Sequence, residues 1–338
     1  MREPSGNQVP APGGARPRLS VVVVSWNTRD VLRACLDAVR THLASIDHET
    51  IVVDNASSDG SPEMVAAEFA QALLIRHDAN LGFGRGANTG MAAARGDFLL
   101  LLNSDALLVD DSLVQLVERL AAQPDVGVVG PRIVLPDGRL QVSARRFPSL
   151  GRLLLSELWL HRLLPRHVAA ERLLGHYWNH AQPREADWLV GACLLLRREV
   201  FTRAGGFDPS IFMYGEEVEW CRRIHTAGFR IAFDPNARVQ HLNHQSADRL
   251  FGDDGRVDRC LIAEHQLLRR WQGAPASAAA HVVRLTGALL RLFLFGLRRL
   301  ARPGDTYARD VVRDAGALLA HYGRRLSGRT WQPPRIDG

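Results

Sequence analysis

The chain has 338 residues, 46% hydrophobic and 23% charged, with 29 Gly and 17 Pro. That is a globular composition, long enough to bury a core, and it excludes the collagen-like, disordered and disulfide-scaffold classes. The net charge of +6 is unevenly spread: residues 275–338 hold 11 Arg against 4 Asp, and the rest of the chain holds 31 Arg against 32 acids. The basic character therefore belongs to the tail, and the sequence has no lysine. The cysteines, Cys35, Cys193, Cys221 and Cys260, lie far apart with no C-x-x-C pair. That spacing fits a reducing compartment and argues against a zinc site built from them.

Met1–Arg18 is Pro- and Gly-rich without the apolar core of a signal peptide, and it reads as a disordered lead. Leu19–Ser25 (LSVVVVS) is a continuous apolar run, the mark of a strand buried on both faces. Thr28–Ala44 places Val31, Leu32, Cys35, Ala38 and Val39 on one helical face. Thr50–Asp54 predicts a second buried strand, and Ser61-Pro62-Glu63 the start of a helix. Ala72–Arg76 is a third strand, Gly86–Arg95 a short helix and Phe98–Leu102 a fourth strand. A helix from Asp111 or Ser112 to Ala122 precedes a short strand at Val126–Val129. Strands alternating with helices predict an α/β protein with a parallel, doubly wound sheet. Beyond it, Pro136-Asp137-Gly138 signals a hairpin. Arg145–Glu185 reads as a helical insertion, Trp188–Leu196 as a strand and Arg198–Ala204 as a helix. An acidic helix at Glu216–Thr226 and strands at Arg230–Phe233 and Arg238–His241 follow. No stretch reaches 18 uncharged apolar residues, so no transmembrane span is expected.

In such a sheet ligands bind beyond the carboxyl ends of the strands. This singles out Ser25-Trp26-Asn27, Asp54-Asn55 and Asn103-Ser104-Asp105. The last follows four leucines; it suits a divalent metal with a diphosphate or, equally, a polar turn before the next helix. Asp54 suits a base or ribose contact or an Asx turn. Leu81–Ala87 contains G-x-G-x-x-A but does not directly follow a strand. That argues against a dinucleotide fingerprint and for a glycine loop letting backbone approach a ligand. Glu216, Glu217 and Glu219 are candidates for a general base, or a favourable acidic helix start. His241 and His244 are candidate metal ligands.

Six segments occur in order: VVVVSWN (Val21–Asn27), VVDNASSDGS (Val52–Ser61), NLGFGRGANTG (Asn80–Gly90), LLLLNSDALL (Leu99–Leu108), GGFDPSIFMYGEEVEWCRR (Gly205–Arg223) and ARVQHLNHQS (Ala237–Ser246). Together they resemble glycosyltransferase family 2, inverting enzymes of the GT-A fold, with most likeness to its rhamnosyltransferase-like bacterial members. The resemblance implies a mostly parallel sheet flanked by helices over 19–250, with 145–185 inserted, 1–18 ahead of it and a helical, basic region at 251–338. It implies that Ser25, Trp26, Asn27, Asp54, Gly86, Asn88, Asn103, Ser104 and Gly191 hold a nucleotide-sugar, with Asp54 facing the base. Asn103-Ser104-Asp105 stands where the family has its DxD motif, so Asp105 and His241 would ligate Mg²⁺ or Mn²⁺. Glu217, beside Glu216, matches the catalytic base. The implied partners are a dTDP- or UDP-linked sugar donor and a glycan or lipid-linked acceptor, with no nucleic acid. Two positions depart from the family: Asn103 replaces the first carboxylate of DxD, and Glu217 an Asp. They support the alternative of a catalytically inactive GT-A domain that binds nucleotide or glycan.

Ala278–Arg302 is helix-compatible. Arg284, Arg291, Arg298 and Arg302 fall on one narrow stripe, and Leu285, Leu289, Leu292, Phe293, Leu297 and Leu300 lie mostly away from it. The pattern predicts an interfacial helix drawn by its arginines to an anionic membrane surface. It would make the protein cytoplasmic and peripheral on the inner face of the plasma membrane.

Overall fold

A computed structural model describes residues 16–242 and 245–326; His244 and most of the N-terminal lead lie outside them. The chain divides into two compact units. One runs to Arg146 and includes Asn179–Ser246; the other joins Phe147–Trp178 to the helices after Ala247.

In the first unit β1 (Leu19–Ser25), β2 (His48–Asp54), β3 (Leu73–Arg76) and β4 (Phe98–Asn103) alternate with helices α1 (Arg29–His42), α2 (Ser61–Glu68) and α3 (Phe83–Ala93). Next come β5 (Ala106–Leu108), α4 (Ser112–Ala121), β6 (Val126–Val134), β7 (Leu140–Gln141) and β8 (Ala144–Arg145). In the second unit, α5 (Leu150–Glu157) and α6 (Arg166–Leu173) follow. The first unit resumes with β9 (Arg184–Glu185), β10 (Trp188–Leu189), β11 (Cys193–Arg197), α7 (Arg198–Ala204), α8 (Glu216–Thr226) and β12 (Arg230–His241). The sheet order is β3-β2-β1-β4-β11-β6-β12-β5, with β7 on β6 and β9 on β12; β8 and β10 form a separate ribbon.

Alternation explains the layers. Val21 and Val23 of β1 join the core under α1 and α4, whose Leu32, Leu36, Leu116 and Leu120 are buried. Val22 and Val24 point to the other face, where α3 packs. Gly86 and Gly90 set that approach: a Cβ on Gly86 would lie 2.8 Å from Val24 Cγ1, and one on Gly90 would overlap Val22 Cγ1. The end of α4 is held by Arg197, which donates to the carbonyls of Leu120, Ala121, Gln123 and Val126. The last carbonyls of a helix lack the N–H four residues on, and the fork covers those of Leu120 and Ala121.

The sheet departs from the expected parallel pattern. β1–β4 pair in parallel, but β11 runs antiparallel between β4 and β6, and β12 is parallel to β6 but antiparallel to β5. The expected strand at Trp188–Leu196 divides. Its first residues pair with β8, and β11 begins only at Cys193. Conversely, Arg230–Phe233 and Arg238–His241 fuse into β12, with a register irregularity between Asp234 and Arg238 that accommodates Pro235.

The second unit adds α9 (Gln245–Ala301) and α10 (Thr306–Leu326). The α9 run reverses at Gly273, whose φ is +86°. The rings of His265 and His281 stack with centroids 3.5 Å apart, although a straight helix would hold them about 24 Å apart. The first half of the arginine stripe faces the opposite way from the expectation. Arg284 pairs with Glu264 and, at 3.6 Å, with Glu157; Arg291 pairs with Glu157 at 2.5 Å. These carboxylates come from other helical segments of the same unit, so Arg284 and Arg291 are turned inward, while Arg298 and Arg302 at the end of the stripe are exposed. Val282, Leu289, Phe293, Leu297 and Leu300 are exposed instead.

Substituting Gly90→Ala tests the close approach of α3 to β1. Overpacking predicts a loss of about 1–3 kcal/mol, measured as a lower urea midpoint with an unchanged slope.

Candidate active site

Register assembles the polar ends of the sheet: Ser25 lies opposite Asp54 on β2, and Val24 opposite Asn103 on β4. The loops beyond are laced together. Asn27, at φ +51°, accepts through its side-chain oxygen from Ser58 N–H at 2.8 Å, while its own N–H donates to Ser57 Oγ at 2.9 Å. Trp26 is half-buried in the same loop. The hydroxyls of Ser25, Thr28 and Ser104 form a buried chain with 3.0 Å links. Asp54 is buried; its Oδ2 accepts from Ser57 N–H at 2.9 Å, and its Oδ1 has no hydrogen-bond partner among the described residues. Burial raises its pKa, opposed by the Ser57 hydrogen bonds. Asn55, at the strand end the sequence singled out, and His77, which it did not, brace this loop. Asn55 donates to Gly82 O at 3.1 Å, and His77 reaches Asn55 Oδ1 at 2.8 Å and Thr89 Oγ1 at 3.1 Å.

The antiparallel pairing of β5 with β12 puts His241 opposite Ala106. It brings buried Asp105 and His241 together, with Oδ1 and Nε2 3.1 Å apart. On the other side of the ring, Nδ1 lies 2.8 Å from Gln141 Oε1; in the tautomer whose Nδ1–H donates there, Nε2 presents a lone pair toward the carboxylate. A lone pair facing a carboxylate calls for a cation or a proton between them. Two cis ligands on an octahedral ion with bonds near 2.1 Å stand about 3 Å apart. The pair therefore fits a divalent ion, with Gln141 orienting the histidine. Asn103 Oδ1, buried and without a partner among the described residues, is a further oxygen at the same strand end. Among these residues no group of three His, Cys, Asp or Glu could hold a metal alone. Mg²⁺ and Mn²⁺ need only one or two protein carboxylates when a diphosphate supplies the rest.

The three glutamates of α8 have separate fates. Gly215, at φ +90°, precedes the helix and turns the chain into it. Glu219 is buried and bonded to Arg223 at 2.9 and 3.0 Å, and Arg223 donates to Gly206 O at 2.6 Å. Glu219 is thereby a structural anchor. Glu216 is buried with Oε2 unpartnered among the described residues, its Cβ near the position a Gly84 side chain would take. Burial, then the charge of Glu217, pushes its pKa well up. Glu217 is half-buried; burial raises its pKa, while backbone hydrogen bonds and the charge of Arg145 oppose the rise. No motif or spacing in the sequence points to Arg145 or Gln141. Asn88 is engaged at both ends by the Phe207 backbone, donating to its carbonyl at 2.9 Å and accepting from its N–H at 2.7 Å. Gly86 packs on β1, and Gly191 lies in the segment between β10 and β11, near Phe83.

The sequence profile of glycosyl transferase family 2 matches residues 20–204. The chain belongs to glycosyltransferase family 2. It is 32% identical over 214 residues to the N-acetylglucosaminyl-diphospho-decaprenol L-rhamnosyltransferase of Mycobacterium tuberculosis, covering 59% of this chain and 68% of that one. It is 22% identical over 241 residues to rhamnosyltransferase WbbL of Escherichia coli, covering 68% and 86%. Mannosyltransferase PcManGT from Pyrobaculum calidifontis, solved with GDP-Man and Mn²⁺, superposes with a TM-score of 0.55 at 18% identity, over 94% of this chain and 89% of that one. That likeness establishes the shared GT-A fold.

In this glycosyltransferase the raised Glu217 carboxyl makes activity rise with pH through a limb above the ordinary Glu value of about 4.3, if Glu217 must be ionised to act. Arg145 holds that limb down, so Arg145→Gln is expected to move it to higher pH while the plateau rate is largely kept. A pH–rate profile of both proteins checks this.

Proposed function

We propose that the chain transfers a sugar such as rhamnose, with inversion, from a dTDP- or UDP-linked donor to a hydroxyl of a glycan or lipid-linked acceptor in cell-envelope polysaccharide synthesis. The observation that carries the reading is the buried Asp105–His241 pair, 3.1 Å apart at the ends of β4 and β12. A buried carboxylate and an imidazole braced by Gln141 at that spacing suit the metal-bound diphosphate end of such a donor. The names of the rhamnosyltransferase relatives support the choice of sugar and the envelope setting.

Asp54, with Oδ1 free to accept, suits an N–H of the base or a ribose hydroxyl. Asp105 and His241 would hold the divalent ion, which supplies charge stabilisation for the departing nucleoside diphosphate. Glu217 accepts the acceptor's hydroxyl proton as the oxygen attacks the anomeric carbon from the face opposite the diphosphate. Its raised pKa is suited to taking a proton near neutral pH. Glu216, beside it, is the second carboxyl of the catalytic pair. The loops laced by Asn27 and Asn55 fix the donor pocket, which lowers the entropic part of the barrier. A peripheral site on the inner face of the plasma membrane would bring this machinery to a lipid-linked acceptor.

Glu217→Gln is expected to abolish transfer with donor binding nearly intact, measured by product formation and nucleotide-sugar titration. Turnover above about a tenth of wild type would mean a loss under ~1.4 kcal/mol, too small for an essential base. A wild-type protein that binds the donor without turnover would instead be an inactive binding domain.

Asp105→Ala and His241→Ala should each weaken donor binding in Mn²⁺ and change it little in chelator. Full wild-type activity in saturating chelator would remove the metal from the reading.

A further inference from the structure

The second half of α9 is an amphipathic helix whose apolar face is outside and whose Arg284 and Arg291 are inside. On the 3.6-residue period Val282, Leu289, Phe293, Leu297 and Leu300 fall within about 80° of arc, and Arg284, Arg291 and Arg298 lie on the opposite side. The apolar set faces out: Phe293 is 64% exposed and Leu300 80%. The arginines are engaged elsewhere, Arg284 by Glu264 and Glu157, Arg291 by Glu157, and Arg298 by Asp305 at 2.6 Å. A water-facing helix carries its charges outward, so this arrangement is costly in solvent.

We infer that this outward Leu/Phe face of α9 docks the protein flat on a lipid bilayer, by apolar insertion and without the inward-held Arg284 and Arg291. By length and composition alone, Asp258–Ala301 is long and apolar enough to cross a membrane. Crossing would carry Arg284, Arg291 and their partner Glu157 into hydrocarbon, which the ion pairs within the unit oppose. Lying flat needs only the apolar face to sink about 5–10 Å. Charge selects lipid over a second copy of the chain. Arg298, Arg299, Arg302 and Arg309 are exposed around the end of α9 and the start of α10, with Tyr307 60% exposed among them. Anionic headgroups complement that end, whereas another copy would present the same charge. The inference does not depend on the catalytic assignment.

The test uses the full chain and vesicles of phosphatidylcholine with a quarter phosphatidylglycerol. Co-sedimentation is compared for wild type and for Leu289→Asn, Phe293→Asn and Leu297→Asn combined. The expected result is about a tenfold or greater loss of vesicle affinity in the triple variant, with circular dichroism and melting unchanged. High salt should weaken wild-type binding only in part. The milder pair Phe293→Ser and Leu297→Ser should move affinity the same way by less. Equal binding by wild type and triple variant, or no binding by wild type, overturns the inference. If wild type does not bind and the triple variant halves its particle mass in light scattering, a second copy covers the face instead.

Discussion

Strands buried on both faces leave polar side chains only one place to go, the strand ends. β1 and β4 are apolar along nearly their whole length and β2 from Ile51 to Val53, and parallel pairing stacks their carboxyl ends in one row. Ser25, Asp54 and Asn103 are neighbours for that reason. The loops beyond the row cannot rest on apolar surface, so they hold one another through Asn27, Asn55, Ser57 and Asp59. These loops are therefore tied to one another as well as to the sheet beneath them. Slipping β2 by one residue would turn Asp54 to the other face.

Rigidity and reactivity are divided among residues of the same type. Glu219 and Asn88 have chemistry-bearing side chains, yet each is engaged by its partners. Arg223 holds Glu219, and the Phe207 backbone holds Asn88. Both contacts tie down the segment after α7, and Trp220 adds a hydrogen bond to Gly205 O at 2.7 Å. With that segment fixed, Glu216 and Glu217 keep a defined position at the start of α8, and Glu216 Oε2 is left without a hydrogen-bond partner among the described residues. The cost of burying them appears as raised pKa values.

Continuous apolar runs made β1, β2 and β4 readable, and with them the positions of Asp54 and Asp105. Local pattern does not carry partner choice. β11 has the same apolar character as β4 but runs against it. Pro235 reads as a break, whereas an irregular register lets β12 continue through it. Gln141 and Arg145 gain meaning only from the ring and the carboxylate that tertiary structure brings beside them. The arginine stripe shows the limit most clearly. Periodicity separates the two faces of the helix, but Glu157 and Glu264, remote in sequence, decide which face turns inward.

The guanidinium of Arg197 gathers four carbonyls around the end of α4, a task for which its planar fork is suited and an ammonium is not. Because the chain has no lysine, the side-chain cations that anchor it in alkaline solution are arginines, which hold their proton far above neutral pH. Raising the pH to 10 or 11 leaves these clamps charged. Acid instead protonates the carboxylates that pair with them, such as Asp234 beside Arg119 and Glu219 beside Arg223. The all-arginine composition thus gives the scaffold a wider tolerance to base than to acid.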